Sequence, residues 1–148
     1  MLADCYYQGL RGFQQDRAKG MELYDRAIDL GNTKAHNKLA AIYHEGGNLK
    51  KAKFHWEAAS MAGDEAARYN LGNLEAKFGN MERAAKHWTI AAFAGHYTSM
   101  FNLLVSFNEG VVSKESVDTA LAAYNNSCAE MRSEARDAYI LAIVADTI

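Results

Sequence analysis

The stretch YNLGNLEAKFGNMERAAKHW (69–88) decides how the rest of the chain is read, because NLGNLEAKFGNMERAAKHW (70–88) redraws KLAAIYHEGGNLKKAKFHW (38–56). Leu39 and Leu71, Ala52 and Ala84, and Trp56 and Trp88 each stand 32 residues apart. Self-similarity at a period of roughly 20 to 50 residues marks stacked structural units, each too small to bury its own apolar face. Ala67, Leu71, Leu74 and Phe78 fall at helical spacing before Gly79-Asn80, and Met81, Ala84, Ala85, Trp88, Ala91 and Ala92 fall at the same spacing after it. Two amphipathic helices joined by a tight turn account for that pattern.

Working outward, one large aromatic recurs per unit: Tyr24, Trp56, Trp88 and Tyr124. Small residues stand four before it (Gly20, Ala52, Ala84, Ala120) and three after it (Ala27, Ala59, Ala91, Ser127), so small, large and small share one helix face. Small side chains let two helices approach while the aromatic fills the space between units. Seven residues past the aromatic come Gly31, Gly63 and Gly95, with Met131 as the exception. Glycine there ends a helix, since it alone takes the left-handed C′ backbone without strain. The preceding helices carry Leu2, Leu39, Leu71 and Leu103 as markers, followed by Ala3, Ala40 and Gly72, with Leu104 departing. Asn48 and Asn80 read as N-caps of second helices, and Asp16 and Ser113 as their counterparts in the outer units. Helices are expected at about 1–8, 17–30, 33–45, 49–62, 64–78, 81–94, 97–109, 115–129 and 132–146.

Composition agrees with a helical domain. The 148 residues are 49% hydrophobic and 23% charged, and contain no proline, the residue least tolerated inside helices. Sixteen basic and 18 acidic residues are interspersed, for a net charge of −2, so no phosphate-neutralising face is announced and nucleic acid is not an expected partner. No apolar run has the length of a membrane span, and MLADCYYQGLRGF (1–13) lacks the layout of a signal peptide. Cys5 and Cys128 are too far apart for a zinc spacing or a disulfide framework, and two free thiols fit a reducing compartment, cytoplasmic or nuclear. Asn125-Asn126-Ser127 matches a glycosylation acceptor pattern but falls within an expected helix.

The segment GLRGFQQDRAKGMELYDRAIDLGNTKA (9–35), with its Leu-small first helix upstream, resembles the Sel-one-like repeat, a cousin of the tetratricopeptide repeat with a longer, variable inter-helix loop. The resemblance runs over essentially the whole chain. It implies a single all-α domain over 1–148, a right-handed α-α superhelix of about four helix-turn-helix repeats: units of about 1–31, 32–63, 64–95 and 96–131, then a final helix 132–148.

No catalytic constellation is present. His55 and His87 repeat at 32 residues, and each lacks a second ligand at i+4, so they read as architecture and no metal is expected. There is no nucleophile elbow, no paired acid and base and no phosphate-cradling glycine motif, so neither an enzyme nor a cofactor is expected. Lys50, Lys51 and Lys53 read as a solvated helix face or a contact for an acidic partner.

In resembling repeats the first helices line a concave groove, with the positions two before, two after and five after the marker leucine pointing into it. Carried over, these are Asn37, Ala41 and His44, then Tyr69, Asn73 and Ala76 with Lys77 beside them, then Phe101, Val105 and Asn108. Asparagines with aromatics suit an extended peptide, and the scarcity of Lys and Arg argues against a clamp for a terminal carboxylate. The alternative reading of Phe101 and Val105 is core, because their helix is apolar nearly all round. The expected function is a non-catalytic interaction scaffold for a peptide or protein. The rival is an assembly segment: ARDAYILAIVADTI (135–148) places Ala135, Ala138, Tyr139, Leu141, Ile143, Val144 and Ile148 on a helix with no following partner, as in one portion of a longer array or a self-associating chain.

Overall fold

The computed structural model describes residues 1–147; Ile148 and the Val144 side chain, both assigned to the apolar C-terminal face, lie outside the described residues. Eight α-helices and no strand occur among the described residues: α1 (Leu2–Gln8), α2 (Arg17–Asp29), α3 (Thr33–Glu45), α4 (Leu49–Met61), α5 (Glu65–Lys77), α6 (Met81–Phe93), α7 (Tyr97–Asn108) and α8 (Lys114–Thr147). They fall into two compact units, Met1–Leu71 and Gly72–Ile148.

The helix limits follow from local chemistry, anticipated above at Asp16, Asn48 and Ser113 and added by the structure at Asn32 and Asp64. Asp16, Asn32 and Asn48 accept from the backbone N–H three residues on, at 3.0, 3.2 and 3.2 Å. The Asp64 and Ser113 side chains do the same at α5 and α8, at 2.8 and 3.1 Å. Asn80 departs: it sits at the N-cap of α6 without a side-chain cap bond, and its Nδ2 instead donates to Glu75 Oε2 at 2.9 Å. Helices α2, α4 and α6 end at Gly31, Gly63 and Gly95 with φ of 83°, 91° and 89°, the left-handed backbone that disfavours any Cβ.

Two expectations need correcting. The helices expected at 115–129 and 132–146 are one continuous 34-residue helix, α8, so 132–148 does not form a separate element. Met131 carries no left-handed cap, and the Ala, Glu, Met and Arg residues of SCAEMRSEARDA (127–138) all favour helix propagation. The Met131 side chain instead lies over Gly95: its Cε is 2.8 Å from where a Cβ on that glycine would sit. Leu2, taken as the first marker leucine, is 55% exposed, whereas Leu39, Leu71 and Leu103 are buried; Ala3 and Cys5 are the buried residues of α1.

In the first unit α1 packs on α2, α2 on α3 and α3 on α4. Its core joins Ala3, Tyr24, Ala35 and Leu39, with Tyr7, Met21, Leu23 and Ile42 packed around them. Tyr24 is buried, and its hydroxyl donates to Asp4 Oδ1 at 2.6 Å, while Lys38 Nζ approaches the same oxygen at 3.4 Å. Burial opposes ionisation of Asp4, but hydrogen bonds from the N-terminal ammonium and Tyr24, together with the Lys38 charge, outweigh it and hold the carboxyl at about 2. In the second unit α6 packs on α7 and α8, and α7 on α8. Ala84, Trp88, Ala91, Met100, Leu103, Val117 and Ala120 are buried there. Trp56 and Trp88, one per unit, are each 5% exposed between alanines that are almost wholly buried, which is the size complementarity the repeat requires.

Candidate functional site

Within the first unit, Asn37, Ala41 and His44 follow i, i+4, i+7 and share one face of α3. Ala41 and His44 are exposed and Asn37 is half-buried. The Asn37 amide is engaged internally, donating to Asp64 Oδ1 at 2.9 Å, the same oxygen that caps α5. The His44 ring leans on Trp56, with centroids 5.4 Å apart. Tyr69, on α5, is half-buried.

Within the second unit, Asn73 is also engaged: its Oδ1 accepts from Trp88 Nε1 at 3.2 Å and from Asn102 Nδ2 at 3.5 Å. Lys77 is exposed near the end of α5. Phe101, Val105 and Asn108 share the outward face of α7, and Phe101 is 53% exposed and Val105 39%, so neither belongs to the core. Two residues not singled out from the sequence complete that face: Tyr97, one turn before Phe101, and Leu104, both exposed. Tyr97, Phe101, Leu104, Val105 and Asn108 stand at i, i+4, i+7, i+8 and i+11, an amphipathic stripe turned outward. The signal was available in YTSMFNLLVSFN (97–108), where Leu103 and Met100 already supply the inward face.

The two tryptophans sit in different polar settings. Trp88 Nε1 reaches Asn73, whereas Trp56 Nε1 is buried with no acceptor among the described residues. Position 41, which matches 73 in the repeat, is alanine. A second hidden feature is the contact of His36 Nδ1 with His55 Nδ1 at 3.0 Å across α3 and α4. Tyr43 stacks on the His55 ring at 5.6 Å and 8°, and Phe54 meets it edge-on at 5.2 Å. Burial, followed by the neighbouring His36, pushes the His55 pKa down against the opposing pull of Asp25. Among the described residues no group of three or more His, Cys, Asp or Glu converges as a metal-ligand set, and no helix is long and apolar enough to cross a membrane.

No protein-family model and no curated protein matches the chain. A solved structure, the crystal structure of immunity protein Pa5087 from Pseudomonas aeruginosa, is similar to it with a TM-score of 0.56 and 18% sequence identity, over 85% of this chain and 66% of that one. The chain thus spans just under two thirds of the solved chain it resembles, and the likeness supports an all-helical fold.

Proposed function

We propose that the chain is a non-catalytic recognition module, a short right-handed superhelix of Sel-one-like, tetratricopeptide-like repeats that holds a peptide or protein on the outward faces of its first helices. The observation that carries this reading is the exposed stripe of Tyr97, Phe101, Leu104 and Val105 on α7, of which Phe101 and Val105 stand at positions that the repeat register assigns to ligand contact. Aromatic anchors on a rigid helix bring large contact area with little entropy to lose, which is what recognition of an apolar peptide side chain needs. Asn108 closes the stripe with a polar group suited to a peptide backbone. Asn37 and Asn73 are spoken for by Asp64 and Trp88, so in this reading they position the helices and the α7 stripe supplies the anchor.

The test is selection from a displayed random-peptide library on the immobilised chain. Enriched peptides should lose about 1 to 2 kcal/mol or more on Phe101→Ala, the loss typical of an anchoring aromatic. Met61→Ala, at another largely exposed side chain, should bind them as the wild type does. Enriched peptides that bind F101A and wild type equally would remove α7 as the recognition face.

A second reading, assembly, is favoured by one observation: Tyr139, Ile140, Leu141 and Ile143 near the end of α8 are all exposed. Self-association through them predicts a sedimentation coefficient that rises with concentration and ceases to do so in Leu141→Glu. A concentration-independent wild type would end that reading.

A further inference from the structure

His36 and His55 lie on different helices of one hairpin, with Nδ1 atoms 3.0 Å apart. The arrangement occurs once: position 68, 32 residues after His36, is arginine, and position 100 is methionine, although His87 repeats His55. Repeat architecture therefore explains His55 but not its partner. Two neutral imidazoles can meet at this distance only by sharing one proton between two nitrogens, one donating N–H and one accepting. The alternative to the shared proton is a cation beside the line joining the two nitrogens, within reach of both Nδ1 lone pairs.

We infer that His36 and His55 form a two-histidine site for a divalent transition-metal ion, with Cu²⁺ the preferred occupant and water filling the remaining positions. The geometry selects the ion. With metal–nitrogen bonds of about 2.05 Å, two nitrogens 3.0 Å apart subtend about 95° at the metal. That is the cis angle of a square-planar or tetragonal ion, the preference of Cu²⁺ and Ni²⁺ bound by nitrogen and oxygen. A tetrahedral Zn²⁺ would want the nitrogens about 3.3 Å apart, so the hairpin would have to open to hold it. Copper also stands highest in the divalent affinity order.

Binding requires the donor ring to move its proton from Nδ1 to Nε2 through solvent, leaving both Nδ1 lone pairs aimed at the ion. At that angle the ion lies about 43° off the line joining the two nitrogens, so the rings must tilt from their hydrogen-bonded pose to aim both lone pairs at it. Tyr43 lies against the face of His55 and Phe54 at its edge. The neighbouring charges are Asp25, which favours a cation, and Lys51, which disfavours one. Lys51 Nζ rests over the Tyr43 ring, 5.0 Å from its centroid.

The test is titration of the intact chain with CuCl₂, followed by calorimetry and by pulsed electron paramagnetic resonance, which detects the remote nitrogen of each coordinated imidazole. Wild type should bind one Cu²⁺ with two imidazoles coupled, and Ni²⁺ should follow while Zn²⁺ binds more weakly. His36→Gln and His55→Gln should each weaken Cu²⁺ by more than about tenfold and, unlike removal of a supporting group, which itself costs about 10- to 100-fold, should each leave a single coupled imidazole. His44→Gln should bind as the wild type does. Unchanged affinity in H36Q or H55Q, or a wild type without saturable one-to-one binding, overturns the site. If circular dichroism shows either variant unfolded, the wild-type spectrum decides: two coupled imidazoles support the site and fewer overturn it.

Discussion

Gly72→Ala tests the packing between α5 and α6 at its tightest point. A Cβ added to Gly72 would lie 2.5 Å from Trp88 Nε1, 2.6 Å from Cδ1 and 3.1 Å from Cε2. Carbon contacts settle near about 3.5 to 4.0 Å, so the indole must retreat by roughly an ångström. It is 5% exposed and tethered to Asn73 through a 3.2 Å hydrogen bond, and such a retreat breaks that bond. Overpacking alone costs about 1 to 3 kcal/mol, and a buried N–H left without an acceptor about 1 to 3 kcal/mol. Against these stands a gain of about 1 kcal/mol from replacing glycine inside a helix. The two losses overlap, because moving the ring relieves the clash at the expense of the bond, and the net loss should be near 2 kcal/mol. The first unit already contains the relaxed arrangement: Ala40 matches Gly72, Ala41 matches Asn73, and the Trp56 indole goes without an acceptor. The variant should therefore fold. Urea titration should show a lowered midpoint, by about 1 M for a slope near 2 kcal/mol/M. Asn73→Ala should be clearly destabilising in the wild type yet nearly neutral in G72A, since the bond it removes is already gone. A variant at least as stable as the wild type, or equal N73A penalties in the two backgrounds, would refute the reasoning.

Trp56→Ala and Trp88→Ala should each destabilise by about 3 to 5 kcal/mol through the cavity they leave; a loss below about 1 kcal/mol in the same titration would mean the sites collapse around the smaller side chain. Ala41→Asn should stabilise by about 1 kcal/mol, by offering Trp56 Nε1 the acceptor that Trp88 already has, and an unchanged midpoint would show that the indole cannot reach position 41. Because the Asp4 carboxyl is held at about 2 in the fold against an ordinary 3.8, its contribution is complete above about pH 4 and is lost as pH falls toward 2. Tyr24→Phe removes one of the donors holding it there and should move this acid limb to higher pH, while identical pH profiles for the two proteins would exclude Asp4 as its source. Met131→Gly should weaken α8 by about 1 kcal/mol and reduce far-UV ellipticity, and full retention of the signal would count against a continuous helix.

The helix limits at Asp16, Asn48, Ser113, Gly31, Gly63 and Gly95 were legible because their determinants are local: an Asp, Asn or Ser accepting at N3, and a glycine that turns the chain. The error came where the repeat itself served as the guide. Periodicity called for a turn at residue 131, but methionine among helix formers supplies no reason to turn, and local propensity prevailed. The candidate face on α7 was half legible. Phe101 and Val105 were named from register alone, but which side of an almost uniformly apolar helix is covered depends on α6 and α8, and only the packed structure assigns Tyr97 and Leu104 to the outside. The His36–His55 contact left no periodic trace, since it joins residues 19 apart across a hairpin, whereas the conspicuous pair in the sequence was His55 with His87.

Helix α8 has a consequence for how its exposed half stays ordered. At 1.5 Å per residue its 34 residues extend about 51 Å, and among the described side chains the buried ones, Val117 and Ala120, lie in the first half. A free peptide of the remaining length would be a marginal helix in water, because the first turn fixes several dihedrals for one hydrogen bond. Joined to a packed front half, the remainder starts with its nucleus already formed and needs only to propagate. It should therefore melt like a zipper from its tip, with amide exchange slowing steadily from Ile143 back toward Met131, instead of opening as a block. A partner that covers Tyr139 and Leu141 would meet a surface already shaped, and its binding would have to suppress only fraying, not the disorder of a free chain.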